Sequence, residues 1–177
     1  FNLLLIPEHD NITAKNVIQT KGALSFFDSD DLNKLDVHKK KFLGVHPLYD
    51  NFGKIKSKSE AKKSLNLLES NNYMLFFGII RKYKGLDLLL EAFADKRLQD
   101  QNLKLIIAGE FYEDEKPYLD LIEQYNLLDS IVLATNFIPN NDVADYFCAA
   151  DIIVQPYKNA TQSGVTQIAY HFEKPML

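Results

Sequence analysis

The chain has 177 residues, enough for one domain with a full core, or for one domain and part of another. Hydrophobic residues make up 46% and charged ones 25%, as in an ordinary globular protein, and a single cysteine, Cys148, leaves no internal disulfide and fits a reducing compartment. The net charge of −4 argues against nucleic acid as the main partner, so any phosphate must be met by a local basic site.

The first 72 residues are the less regular part. A strand is expected at 23–27, a helical turn at 30–35 capped by Ser29, a strand at 42–45, a connector over 46–53 and a helix over 60–68. No run of about 18 apolar residues is present to span a membrane. Residues 1–6 are too short for a signal peptide and lack its basic start. The missing initial Met and the strand-like end Lys174-Pro175-Met176-Leu177 point to a fragment.

From residue 73 the pattern becomes regular. Residues 73–77 form a continuous apolar run, which reads as a strand buried on both faces. Leu86, Leu89, Leu90 and Phe93 follow at helical spacing. A second strand, 103–108, stops at Gly109. Tyr118, Leu121, Ile122 and Tyr125 repeat the helical period. A third strand covers 131–133. Val143, Tyr146, Phe147 and Ala150 mark a third helix, with Asn140 or Asn141 available as its cap. A fourth strand, 152–154, is ended by Pro156, and Val165, Ile168, Ala169 and Phe172 mark a fourth helix. Strands alternating with helices predict βαβ units and an α/β fold, with a Rossmann-like parallel sheet flanked by helices. Ligands of such sheets sit beyond the carboxyl ends of the strands.

One of those ends stands out. Phe76-Phe77-Gly78-Ile79-Ile80-Arg81-Lys82-Tyr83-Lys84-Gly85-Leu86-Asp87 reads as a buried strand, a glycine, a basic loop and a glycine opening a helix. Cations and a helix N-terminus at a strand end suit a phosphate group. A solvated basic turn is the plain alternative. Thr161-Gln162-Ser163-Gly164, before the fourth helix, offers cap hydroxyls, free N–H groups and a glycine that permits close backbone approach. Glu110 is either a wall of the same pocket or a surface-loop residue, and Tyr157 either lines it or packs at the core edge. His46 and His171 stand alone, and the histidines and cysteine show no metal-ligand spacing.

Taken in order, these pieces resemble the C-terminal, donor-binding domain of the retaining "group 1" glycosyltransferases of GT-B fold. The resemblance covers 73–177 and rests on Gly78 with Lys84-Gly85, Leu105-Ile106-Ile107-Ala108-Gly109, and Phe137-Ile138-Pro139. It continues through Asp142-Val143-Ala144-Asp145-Tyr146-Phe147 and Ala149-Ala150-Asp151-Ile152-Ile153-Val154-Gln155-Pro156-Tyr157. It implies three regions. Residues 1–45 are the remnant of an acceptor-side domain, 46–72 a connector and first helix, and 73–177 a donor domain truncated at its end.

The resemblance further implies a UDP- or GDP-linked sugar donor, no cofactor or essential metal, and transfer to an unknown acceptor with retention. The expected location is the cytoplasm, at the inner face of the membrane if parts outside this chain touch it. Donor contacts fall to Gly78, Arg81, Lys84, Glu110, Ile138, Tyr157, Thr161, Gln162, Ser163 and Gly164, with Ile138-Pro139 at the base and Gln162 at the sugar. No catalytic group is assigned. The chain departs from the pattern twice. Ile79 stands where an arginine is usual, leaving Arg81 as substitute. Residues 159–169 lack the usual pair of glutamates. A non-catalytic nucleotide-sugar-binding or partner module, and a sugar-nucleotide epimerase of the same fold, are therefore the alternatives.

Overall fold

A computed structural model describes residues 52–99, 102–159 and 163–177, together with the backbone of two short strands nearer the amino end. The chain divides into two compact units, Phe1–Pro47 and Leu48–Leu177. In the first unit β1 (Leu4–Pro7) and β2 (Val17–Thr20) pair in parallel, with Leu4 opposite Val17. The elements expected at 23–27, 29–35 and 42–45, and most of the connector over 46–53, lie outside the described residues.

The second unit is built on a four-stranded parallel sheet, ordered β5-β4-β3-β6. Its strands are β3 (Asn72–Phe77), β4 (Leu103–Ala108), β5 (Ile131–Ala134) and β6 (Ile152–Ile153). Beyond β6 the chain end adds one more parallel contact. Met176 bridges Ile153, the Ile153 N–H donates to the Pro175 carbonyl at 2.9 Å, and the Leu177 N–H donates to the Ile153 carbonyl at 2.9 Å. The sheet thus grows outward from β3 through β4 to β5, then returns to start again on β3's other side. This reversal opens a crevice at the carboxyl ends of β3 and β6, the usual ligand position in such sheets.

Apolar residues on both sides of each strand explain why helices cover both faces. Tyr73 and Leu75 of β3 join Ile106, Phe147, Val165 and Ala169 in one core, whereas Met74 and Phe76 join Leu105, Ile107, Leu90 and Phe93 in the other. The first core lies under α1 (Lys58–Ser64), α5 (Val143–Ala149) and α6 (Gly164–His171). The second lies under α2 (Leu86–Phe93) and α4 (Lys116–Gln124), with the short α3 (Lys96–Gln99) between them in sequence.

Helix ends depart from expectation where local polar groups decide. The helix expected over 60–68 starts earlier, because Ser57 and Glu60 form a capping box, and ends earlier, because Asn66 takes φ +53°. Neither Asn140 nor Asn141 caps α5. Both belong to a 3₁₀ turn with Asp142, which precedes the helix without a side-chain cap bond. The β6 strand is a residue shorter than expected, although the Val154 N–H still donates to the Leu75 carbonyl at 2.9 Å. Asp151 anchors the sheet's other end, accepting from the Tyr73 N–H at 2.9 Å and pairing with Lys58. No helix among the described residues is long and apolar enough to cross a membrane.

Candidate functional site

The crevice is shaped by glycines at the strand ends. Gly78 follows β3 with φ +96°, and its N–H donates to the Ala108 carbonyl at 2.8 Å. Gly109 follows β4 with φ +132°, and a Cβ there would lie 2.4 Å from the Gly78 carbonyl oxygen. Only glycine permits that approach. The two loops then run on together. The Ile80 N–H donates to the Glu110 carbonyl at 2.7 Å, and the Tyr112 N–H donates to the Ile80 carbonyl at 3.0 Å. A 3₁₀ turn, Lys82–Lys84, leads to Gly85 at φ +72°, whose Cβ position is only 2.0 Å from the Pro156 carbonyl oxygen. The loop after β3 is thereby pressed against the loop after β6, where the Lys158 N–H also donates to the Tyr83 carbonyl at 2.8 Å.

Between these loops and the start of α6 lies a cleft of about 340 Å³, lined among others by Gly78, Arg81, Lys84, Tyr157, Ser163 and Gly164. Lys84 is only 8% exposed. Its ammonium lies 3.0 Å from the Cβ position of Gly78 and 5.7 Å from the centre of the Tyr157 ring. Burial, and after it the charge of Arg81, lowers its pKa from the ordinary lysine value. No hydrogen-bond acceptor among the described residues pairs with it. Two other lysines, Lys62 buried and Lys174 half-buried, show what the fold does with such an ammonium when it is structural. Lys62 donates to the Glu69 and Asn71 carbonyls at 2.9 and 2.8 Å, and Lys174 to those of Cys148 and Ala150 at 3.2 and 2.9 Å. Among the described residues Lys84 has no such carbonyls, and it faces the cleft.

The rest of the wall is polar and oriented. The Arg81 guanidinium lies 4.0 Å over the Tyr112 ring. Ser163 precedes α6 in extended backbone, but its hydroxyl does not cap the helix. It is held instead by Gln155 Nε2 and the Tyr157 hydroxyl, each at 3.1 Å. Burial raises the Tyr157 pKa against the opposing effect of its Ser163 contact. A Cβ on Gly164 would meet open space, so this glycine leaves the helix start uncovered. Free N–H groups at a helix start, two cations and no carboxylate among the described lining residues make a site that can neutralise a phosphate or diphosphate.

The structure thus gathers Gly78, Arg81, Lys84, Tyr157, Ser163 and Gly164 in one cleft. Glu110 is not among its lining residues; the side chain is exposed and the backbone carbonyl serves Ile80. Ile138 lines a second hollow of about 150 Å³ at the end of β5, with Asn136, Phe137, Pro139, Asp142 and Tyr146. Thr161 and Gln162 lie outside the described residues. Sequence reasoning missed Gln155 and Thr166, which tie Ser163 in place, because a glutamine and a threonine in a strand–helix unit carry no motif of their own. Among the described residues no three potential ligands gather as a metal would require.

Residues 57–165 match the family described as Glycosyl transferases group 1. A GDP-mannose:glycolipid 4-beta-D-mannosyltransferase of Xanthomonas campestris pv. campestris is 31% identical over 106 residues, or 59% of this chain and 29% of the relative. An alpha-monoglucosyldiacylglycerol synthase of Streptococcus pneumoniae is 30% identical over 112 residues, or 62% of this chain and 24% of the relative. The chain therefore spans less than a third of the length of these curated relatives. Among solved structures, WaaG, a glycosyltransferase involved in lipopolysaccharide biosynthesis, superposes with a TM-score of 0.62 at 19% identity, covering 84% of this chain and 41% of its own. Sucrose-phosphate synthase from Thermosynechococcus elongatus gives 0.61 at 22%, covering 72% and 32%. Anabaena HepE, solved with UDP-glucose, gives 0.60 at 17%, covering 72% and 35%. With the parallel sheet and its helices matching GT-B domains, and more than half its length matching the family, the chain belongs to the group 1 glycosyltransferases.

Proposed function

We infer that the residues from 73 onward bind the diphosphate of a nucleotide-sugar, and that the full-length protein transfers its hexosyl group to an acceptor with retention. One observation carries this reading. Lys84 has a buried side chain and an ammonium without an acceptor among the described residues, in a cleft at the sheet's reversal point and beside the uncapped start of α6. Cleavage of the bond between the anomeric carbon and the phosphate oxygen leaves negative charge on the departing diphosphate. Lys84, Arg81 and the α6 N–H groups would stabilise that charge as it develops, the larger part of the catalysis such a site supplies. The hollow lined by Ile138 and Pro139 would receive the base. Glu110 is retained only as an outer contact, and Thr161 and Gln162 as candidates for the sugar. The chemistry needs no metal, since side-chain cations do the neutralising, and the first unit would be the remnant of the acceptor-side domain.

The donor is UDP- or GDP-linked, a choice supported by relatives named for GDP-mannose and solved with UDP-glucose. The relatives named for glycolipid and diacylglycerol products support an acceptor met at the inner membrane face. Calorimetric titration of the full-length protein with UDP-glucose and GDP-mannose tests the reading. Binding by one of them, followed by nucleotide release on adding acceptor, with the product's anomeric configuration unchanged and no loss on adding EDTA, is the expected result. The 177-residue chain alone is expected to bind weakly and to transfer nothing. Failure of the full-length protein to bind any nucleotide-sugar would overturn the proposal. It would favour a non-catalytic partner module, the reading motivated by the missing glutamates in 159–169.

A further inference from the structure

The helix end of the cleft is built against its own sequence preference. A serine at the N-cap ordinarily lends its oxygen to the first-turn N–H groups. Ser163 occupies that position, with φ −136° and ψ 120°, and makes no such bond. Gln155 Nε2 donates to its oxygen at 3.1 Å, and the Tyr157 hydroxyl lies at the same distance. Gln155 is itself fixed, because its side-chain carbonyl accepts from the Thr166 hydroxyl at 2.9 Å. The chain of bonds runs from the first turn of α6 to the end of β6 and back to the residue before α6.

The hydrogens in this chain can be counted. Thr166 gives its hydrogen to Gln155, and Gln155 gives one to Ser163. A single bond joins Ser163 to Tyr157, yet each of the two carries a hydroxyl hydrogen. Whichever donates, one hydrogen is left over on a residue that lines the cleft. The same cleft holds Lys84, 92% buried by its 8% exposure and without an acceptor among the described residues, which marks independently where an anion belongs. We propose that Gln155 and Thr166 are positioning residues that hold the Ser163 hydroxyl off the start of α6, leaving the first-turn N–H groups and one hydroxyl hydrogen for a phosphate oxygen. This inference rests on the reading of the cleft as a phosphate site and adds how its helix end is kept open.

The test uses the full-length protein, inorganic pyrophosphate as probe, calorimetry for affinity and thermal melting for the fold. Gln155→Leu leaves Ser163 only its Tyr157 contact and lets it turn to cap α6, so pyrophosphate binding weakens about five- to tenfold, the worth of one or so hydrogen bonds, while the melting temperature does not fall. Adding Ser163→Ala to Gln155→Leu uncovers the N–H groups again, so binding recovers in part while the melting temperature drops. Recovery on a second truncation is an outcome a merely structural role does not produce. Thr166→Val, nearly isosteric, is expected to weaken binding about twofold or more and decides the matter if Gln155→Leu does not fold. If both single variants bind pyrophosphate like the wild type while Lys84→Met has lost affinity, the positioning role is wrong and the phosphate site stands. If Lys84→Met also binds normally, the phosphate reading fails and this inference with it.

Discussion

Replacing Lys84 by methionine sets function against stability. The side chain is buried, its ammonium faces the cleft beside Arg81, and no acceptor among the described residues pairs with it, so the ligand-free fold holds a partly desolvated charge. A fully buried unsatisfied polar group costs about 1–3 kcal/mol, and an ammonium open to a cleft bears only part of that. Methionine keeps the unbranched stem and fills the same space. Lys84→Met should therefore stabilise the ligand-free protein by about 1 kcal/mol or less. The sign of the pH dependence follows from the lowered pKa. Between that lowered value and the ordinary 10.5 the unfolded chain binds more protons than the folded one, so wild-type stability rises with pH through that window. The variant loses that slope. Affinity moves the other way: losing a charge-assisted bond of about 1.5–3 kcal/mol weakens pyrophosphate or nucleotide binding about 10- to 150-fold. Urea unfolding at neutral and alkaline pH, with calorimetry on the same samples, reads both effects. A variant less stable than wild type at neutral pH would refute the reasoning, because Lys84 would then be satisfied within the fold like Lys62.

Other consequences follow from the same geometry. Pyrophosphate affinity of the wild type should fall as pH rises through the lowered Lys84 value, below 10.5, relative to Lys84→Met measured in the same calorimetric pH series, which shows only the titration of the probe and the remaining groups. Gly85→Ala forces a side chain into the left-handed region and against the Pro156 carbonyl, 2.0 Å away. A loss of about 2–4 kcal/mol in urea unfolding is expected, together with lost binding, since the two loops must separate. Ser57→Ala removes half of the α1 capping box and should cost about 1 kcal/mol in the same assay without changing pyrophosphate affinity.

The sheet was legible because its buried strands are apolar runs, broken in β4 only by Lys104, and four of the covering helices show their period in four residues, as Leu86, Leu89, Leu90 and Phe93 do. Helix ends were not, because they depend on one polar contact or one φ angle, such as the Ser57 box or Asn66. The cleft was half legible. Gly78, Lys84 and Gly164 stand at strand and helix ends, where pattern alone locates them. The close approaches at Gly85 and Gly109 join segments distant in sequence and leave no local signal. What the sequence could not show is that Lys84 differs from Lys62 and Lys174 in its partners. All three are lysines near apolar residues, and only the fold reveals which have carbonyls to hold them.

The alternation of the extended chain also bears on how the proposed phosphate site could work with Ile79 where the resemblance implies an arginine. Arg81 lies in extended backbone, φ −133° and ψ 153°, and Ile80 between it and Ile79 is buried in the core with 1% exposure. Side chains two apart on an extended segment point the same way. Ile79 and Arg81 accordingly both line the cleft, whereas Ile80 turns inward. Moving the cation by two positions keeps it on the cleft side; moving it by one would have buried it. The shift also brings the guanidinium over the Tyr112 ring, whose backbone is tied to Ile80 by the Tyr112 N–H bond at 3.0 Å. An arginine held on an aromatic face gives up less side-chain freedom when it meets a phosphate than one that is free in solvent. Arg81 and Tyr112 together can therefore stand in for the cation that Ile79 displaces.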